Sequence, residues 1–142
     1  MKKIVSFICL ILVVVSLVGC KQSGATDNVT VDVGESTKFT KKEINKAIDS
    51  VINNFRFPAC TLTKVWYDEE KSNIFVKGYM SNGRGRGNGV SPENVIILLS
   101  NFDVDGSGNN PVLDPNSTYT EYQWILIRDS KTSEWKIDDQ GY

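Results

Sequence analysis

Phe39-Thr40-Lys41-Lys42-Glu43-Ile44 opens a run that continues as Asn45-Lys46-Ala47-Ile48-Asp49-Ser50-Val51-Ile52-Asn53-Asn54-Phe55. Thr40 and Glu43 have the spacing of a capping box, in which hydroxyl and carboxylate each satisfy a free backbone N–H, and Phe39 and Ile44 stand where a hydrophobic staple closes. Such a cap contributes about 1 kcal/mol. Ile44, Ala47, Ile48, Val51, Ile52 and Phe55 then recur along one helical face, with Lys42, Glu43, Lys46, Asp49 and Asn53 on the other. Phe57-Pro58 ends the helix, because the residue before proline is pushed out of the helical region. A helix with one apolar stripe must lie on an apolar surface, so Ile48→Ala should cost far more than Glu43→Ala.

Downstream the period changes from helical to alternating. Cys60 to Tyr67 reads as a strand in which Cys60, Leu62 and Trp66 share a face opposite Val65 and Tyr67. Asp68 to Asn73 reads as a turn and Ile74 to Met80 as a second strand. Ser81 to Gly89, with glycine at every second position from Gly83, reads as a flexible loop. Asn94 to Val104 contains the continuous run Val95-Ile96-Ile97-Leu98-Leu99, which predicts a strand buried on both faces at the centre of the sheet. A long loop from Asp105 to Ser117 leads to strands over Thr118 to Asp129 and Glu134 to Asp139, joined by a turn. The fold class expected is α+β, an N-terminal amphipathic helix packed on a curved antiparallel sheet of four to five strands.

Upstream of the helix, Met1-Lys2-Lys3 is a basic start and Ile4 to Val18 is apolar except for Ser6 and Ser16. That run suits a signal peptide and is short for a membrane span, which needs about 20 apolar residues. It ends in Leu17-Val18-Gly19-Cys20, similar to the lipobox of bacterial lipoproteins. The resemblance implies cleavage before Cys20 and lipid on its thiol, placing the protein on the extracytoplasmic face of the cell membrane. The division expected is therefore signal peptide 1–19, lipidated Cys20 and flexible tether 20–38, and folded domain 39–142. Residues 21–38, with only Val29, Val31 and Val33 as sizeable apolars, would span about 23 Å as a random coil.

Cysteine count follows from that cut. Cys9 leaves with the signal and Cys20 carries lipid, so Cys60 stands alone, with no disulfide partner, among apolar neighbours that favour burial. The chain has no histidine, which removes Ser-His-Asp and Cys-His catalysis and zinc sites built on imidazole. Its formal charge is −1 before the cut and more negative without Lys2 and Lys3, so nothing invites nucleic acid.

Trp124-Ile125-Leu126-Ile127-Arg128-Asp129, Glu134-Trp135-Lys136-Ile137-Asp138 and the closing Gly141-Tyr142, behind one amphipathic helix, resemble small nuclear-transport-factor-2-like (cystatin-like) cone domains. Specifically, they look like those carried by uncharacterised lipoproteins of Gram-positive gut bacteria. The Cys60 to Lys64 and Trp66 to Lys71 stretches fit the same likeness. It implies a cone with a pocket at its mouth, made shallower by the single helix, and it brings no activity with it.

Three constellations could carry chemistry. Asp103, Asp105, Ser107 and Asp114 have the spacing of a calcium loop with Gly106 at its turn, but Asn110 stands where an apolar residue is usual and the flanks read as strands, so a loop without metal is expected. Arg84-Gly85-Arg86-Gly87 could hold phosphate, and more often such a segment is a solvated loop. Trp66, Tyr67, Tyr119, Tyr122, Trp124, Trp135 and Tyr142 could line a pocket near Glu121, Asp138 and Asp139, although aromatics normally fill cores. The function expected is a non-catalytic binding or accessory module, anchored to the membrane by lipid, with a small ligand or surface protein as partner and no cofactor. The alternative is a small-molecule enzyme, isomerase- or dehydratase-like, using Asp and Tyr from the cone pocket. An open pocket with two or more convergent polar groups would favour the enzyme.

Overall fold

The computed structural model describes residues 24–142; the expected signal peptide 1–19, the lipidation site Cys20 and the first tether residues lie outside them. Helix α1 runs Lys41–Asn54 as its cap dictates. Glu43 N–H donates to Thr40 Oγ1 at 3.2 Å and Thr40 N–H donates to Glu43 Oε2 at 2.8 Å, so both halves of the capping box form. Phe39 and Ile44 are buried together, and Ile44, Ala47, Ile48 and Val51 form the face that docks.

That face meets a five-stranded sheet in the order β1 (Thr30–Asp32), β2 (Cys60–Trp66), β3 (Val95–Val104), β4 (Thr118–Ile127) and β5 (Lys136–Gly141). β3 is the middle strand, as its unbroken apolar run requires, and Val95 to Ser100 are all buried. The expected antiparallel sheet is corrected to a mixed one, since β1 pairs with β2 in parallel. β1 lies within the stretch read as a tether. Residues 21–38 were expected to be flexible, but from Ala25 on they run along the sheet edge: Ala25 N–H donates to Cys60 O and Leu62 N–H to Ala25 O, both at 2.9 Å. The alternating Val29, Val31 and Val33 were the only local sign of this.

The largest correction is at Ile74 to Met80, which is not a strand. Asp68 caps helix α2 (Glu69–Asn82) by accepting from Lys71 N–H, and Glu69 and Glu70 occupy its first turn, so the expected turn at Asp68 to Asn73 is a helix start. Ser72, Val76 and Tyr79 give the buried stripe, while Ile74, which suggested a strand, is 58% exposed. The expected loop over Ser81 to Gly89 contains a short helix α3 (Arg84–Asn88). Val76 and Tyr79 pack on Val95 and Ile97, with Ile125 and Ile127 beside them, so helices cover both faces of the sheet.

Bulges set which residues face α1. A register shift between Leu62 and Lys64 inserts one extra residue into β2, so Cys60, Leu62, Val65 and Tyr67 all enter one core, correcting the expectation that Val65 and Tyr67 oppose the other two. Similar shifts occur between Ser100 and Phe102 against β4 and between Ile125 and Leu126 against β5. Each bulge bends its strand. The one at β4 puts Glu121 in the left-handed region at φ 56, with its N–H donating to Asn101 Oδ1.

A buried ion pair ties α1 to the far end of the sheet. Arg128, only 2% exposed, donates through Nη1 to Glu43 Oε1 at 2.7 Å and to Lys131 O at 3.3 Å, and through Nε to Asn94 Oδ1 at 3.3 Å. Its guanidinium lies 4.4 Å from the Trp135 ring centre, and its Nη2 has no acceptor among the described residues. Glu43, placed on the solvent face by periodicity, therefore both caps α1 and neutralises a buried arginine. Its loss is therefore expected to be costly, where periodicity alone predicts a small effect.

Candidate functional site

Beyond the C-terminal end of α1, the chain leaves the helix through Phe55, Phe57 and Pro58 and turns at Ala59, which adopts φ 59. A left-handed alanine is uncommon and is held here by Asp105 N–H donating to Ala59 O at 2.9 Å. The turn aims Phe57 back over the sheet. Its ring stacks on Trp124 with centres 5.6 Å apart and meets Phe102 edge-on at 5.3 Å. Phe102 stacks in turn on Tyr119 at 5.1 Å, and Tyr122 packs edge-on against Tyr142 at 5.3 Å.

The β3–β4 loop arches over this aromatic floor and leaves a cleft of about 260 Å³ between them. Phe57, Pro58, Phe102 and Tyr122 form the floor, and Asn110, Pro111, Val112 and Leu113 form the wall. Asn110 builds that wall. Its side-chain oxygen accepts from Val112 N–H at 3.0 Å and Leu113 N–H at 2.8 Å, and its amide donates to Pro58 O at 2.9 Å. Both ends of the amide are thus committed to backbone. The Tyr122 hydroxyl is the remaining polar group, and burial, then Tyr142 and Asp139, push its pKa above the usual tyrosine value. No carboxylate lines the cleft. Val112 in the wall is 84% exposed, and Tyr142, which packs on Tyr122, is 73% exposed.

The aromatics read as pocket candidates divide. Tyr122 lines the cleft, with Tyr119, Trp124 and Tyr142 packed behind or beside it, whereas Tyr67 and Trp135 sit at the other end of the core against Phe39. Trp66 stands apart with Lys64 over its ring at 4.7 Å. The acids do not converge: Glu121 pairs with Lys71, Asp139 accepts from Gln140 N–H at 2.9 Å, and Asp138 accepts from Tyr79 O–H at 2.7 Å. Burial and then Asp138 push Tyr79 up to about 12, so it stays protonated as a structural donor.

The calcium-like residues are likewise dispersed. Asp103 accepts from Thr118 Oγ1 at 2.7 Å, Asp105 takes the Ser107 N–H at 2.9 Å and the Ser107 hydroxyl, and Asp114 offers its backbone to Ser117. No three acidic or thiol groups among the described residues are placed to share an ion. In Arg84-Gly85-Arg86-Gly87, Arg84 Nε lies 3.7 Å from Asp138 Oδ2, and a Cβ on Gly85 would fall 2.5 Å from the Tyr79 ring. That glycine serves close packing. Cys60 is buried, as its neighbours suggested, and burial raises its thiol pKa.

Sequence reading missed Phe57, taken only as a helix stop, and Phe102, Asn110, Val112 and Leu113. The signal available was the density of apolar and proline residues in Pro111-Val112-Leu113 inside a loop otherwise polar. No curated protein and no solved structure matches the chain. Residues 34–141 match the family described as Domain of unknown function (DUF4829), and the chain belongs to that family.

Proposed function

We propose that this protein is a lipid-anchored, extracytoplasmic binding module of a Gram-positive cell membrane that holds a small apolar or aromatic ligand in the cleft under the β3–β4 loop. The observation that carries the binding reading is the cleft itself: about 260 Å³, floored by aromatic rings, with its one amide already satisfied and no acid–base pair facing it. Sites of this lining bind by burying apolar surface, and the missing pair of convergent polar groups argues against the isomerase- or dehydratase-like alternative. A helix across a sheet bent by three bulges supports a small nuclear-transport-factor-2-like cone. The anchor reading rests on Leu17-Val18-Gly19-Cys20. Among the described residues no helix is long and apolar enough to cross a membrane.

Two measurements test this. The full chain, titrated with the neutral probe N-phenyl-1-naphthylamine, should show saturable fluorescence enhancement. Val112→Asp should reduce the affinity about tenfold or more by placing a charge on the apolar rim, without moving the melting temperature. A variant that binds as well as the parent would remove the cleft from the proposal. For the anchor, Cys20→Ala should abolish incorporation of labelled fatty acid in a Gram-positive host and impair removal of the signal peptide. Continued labelling would refute lipidation at Cys20.

A further inference from the structure

At the other end of α1, about 20 Å from the cleft along the helix axis, the first turns face the β4–β5 turn across a depression of about 250 Å³. Four of its eight lining residues are cationic, Lys42, Lys46, Arg128 and Lys131, against the single carboxylate of Glu43. That reverses the sign of a chain whose formal charge is −1. Lys46 is held by Glu134, just outside the lining, at 2.7 Å, and Arg128 by Glu43 at 2.7 Å, while Lys42 and Lys131 have no carboxylate partner among the described residues. Arg128 adds a buried Nη2 with no hydrogen-bond acceptor among the described residues, a donor left unsatisfied at a cost in free energy.

The geometry points to an oxyanion site that takes a phosphate group. Glu43 already occupies Nη1 of Arg128, so the planar fork that would suit a carboxylate is spent. What remains is the Nη2 group of the guanidinium, with its two N–H donors, and two ammonium point charges on separate elements, an arrangement that suits an anion with several equivalent oxygens. The Ser133 hydroxyl, also in the lining, is paired with the Ser130 hydroxyl at 2.9 Å. The phosphate comes either from a soluble phosphate compound or from an anionic phospholipid headgroup, and the site chemistry is common to both. This site does not depend on the aromatic cleft, so a Val112→Asp protein should keep it intact.

The test uses the full chain in neutral detergent micelles at constant ionic strength, following tryptophan emission because Trp135 lines the depression. Inorganic phosphate is titrated in one arm, and micelles doped with phosphatidylglycerol replace it in the other. A saturable response is expected in at least one arm: in the first if the source is soluble, in the second if it is a headgroup. Lys42→Ala with Lys131→Ala, both exposed positions, should weaken that response about tenfold or more with the ligand-free melting temperature unchanged. No saturable response in either arm, or an unaltered response in the double variant, overturns the proposal.

Discussion

Glu43→Ala is expected to destabilise the domain by about 3 to 5 kcal/mol, as much as a large core truncation, because it strands the Arg128 guanidinium inside the protein without its counter-charge. The lost cap adds to this. A urea titration would measure it, and Glu43→Ala combined with Arg128→Met should recover most of the loss, since an apolar side chain tolerates that position where an unpaired charge does not. If the double variant were no better than the single, the cap rather than the buried charge would be the source. The same pair sets an acid limit. Burial alone would raise the Glu43 carboxyl, but hydrogen bonds from the Thr40 backbone, Arg128 and the Thr40 hydroxyl, with the Arg128 charge, outweigh it and hold the pKa at about 2 against an ordinary 4.5. A group depressed in the folded state stabilises fully above its unfolded pKa and loses that contribution as protons bind. Stability should therefore fall as pH drops from about 4.5 toward 2, more steeply in the parent than in Glu43→Ala. Glu69, also held at about 2, by the Ser36 and then the Thr37 hydroxyl, acts in the same direction and keeps part of the slope in the variant.

The second large effect is at Trp124. Trp124→Ala should cost about 3 to 5 kcal/mol by leaving a cavity beneath Phe55 and Phe57, and it removes the indole N–H donated to the buried Ser100 hydroxyl at 2.8 Å. It should also weaken N-phenyl-1-naphthylamine binding, because Phe57, the floor of the cleft, loses the ring on which it stacks. Trp124→Phe keeps an aromatic partner and should retain most of both. A stability loss with unchanged probe affinity would show that the floor holds its shape without this support.

What was legible in the sequence was what short-range chemistry determines. The capping box and staple at Phe39 to Ile44 need only neighbours in the chain, and the run from Val95 to Leu99 can only be a strand covered on both faces, so α1 and the centre of the sheet were readable. Helix α2 was not read because Ile74-Phe75-Val76 favours a strand locally, and the burial of Val76 and Tyr79 against Val95 and Ile97 decides otherwise. Asp68 followed by two acids was the overlooked start signal. The face assignment in β2 failed at one bulge, which alternation cannot reveal. The cleft needed Phe57, Phe102, Tyr122 and the Pro111 to Leu113 wall to meet from four separate segments, and the Arg128–Glu43 pair spans 85 positions. Neither has a signature at short range.

Under the proposed anchor at Cys20, the bridge from Ala25 to β2 would set a ceiling on how high the domain stands above a bilayer. With lipid on Cys20, the stretch to Ala25 reaches at most about 18 Å when fully extended, less than the roughly 30 Å width of a domain this size. An unattached stretch to Phe39 would have allowed the module to roam and turn freely. Fastened by the proposed lipid, the domain would be confined to a layer about one protein thick beside the headgroups, with the β1 edge of the sheet nearest the anchor. Under that proposal whatever it binds would come to that layer, and its encounters would be set by lateral diffusion in the membrane and by what crosses or lies along it.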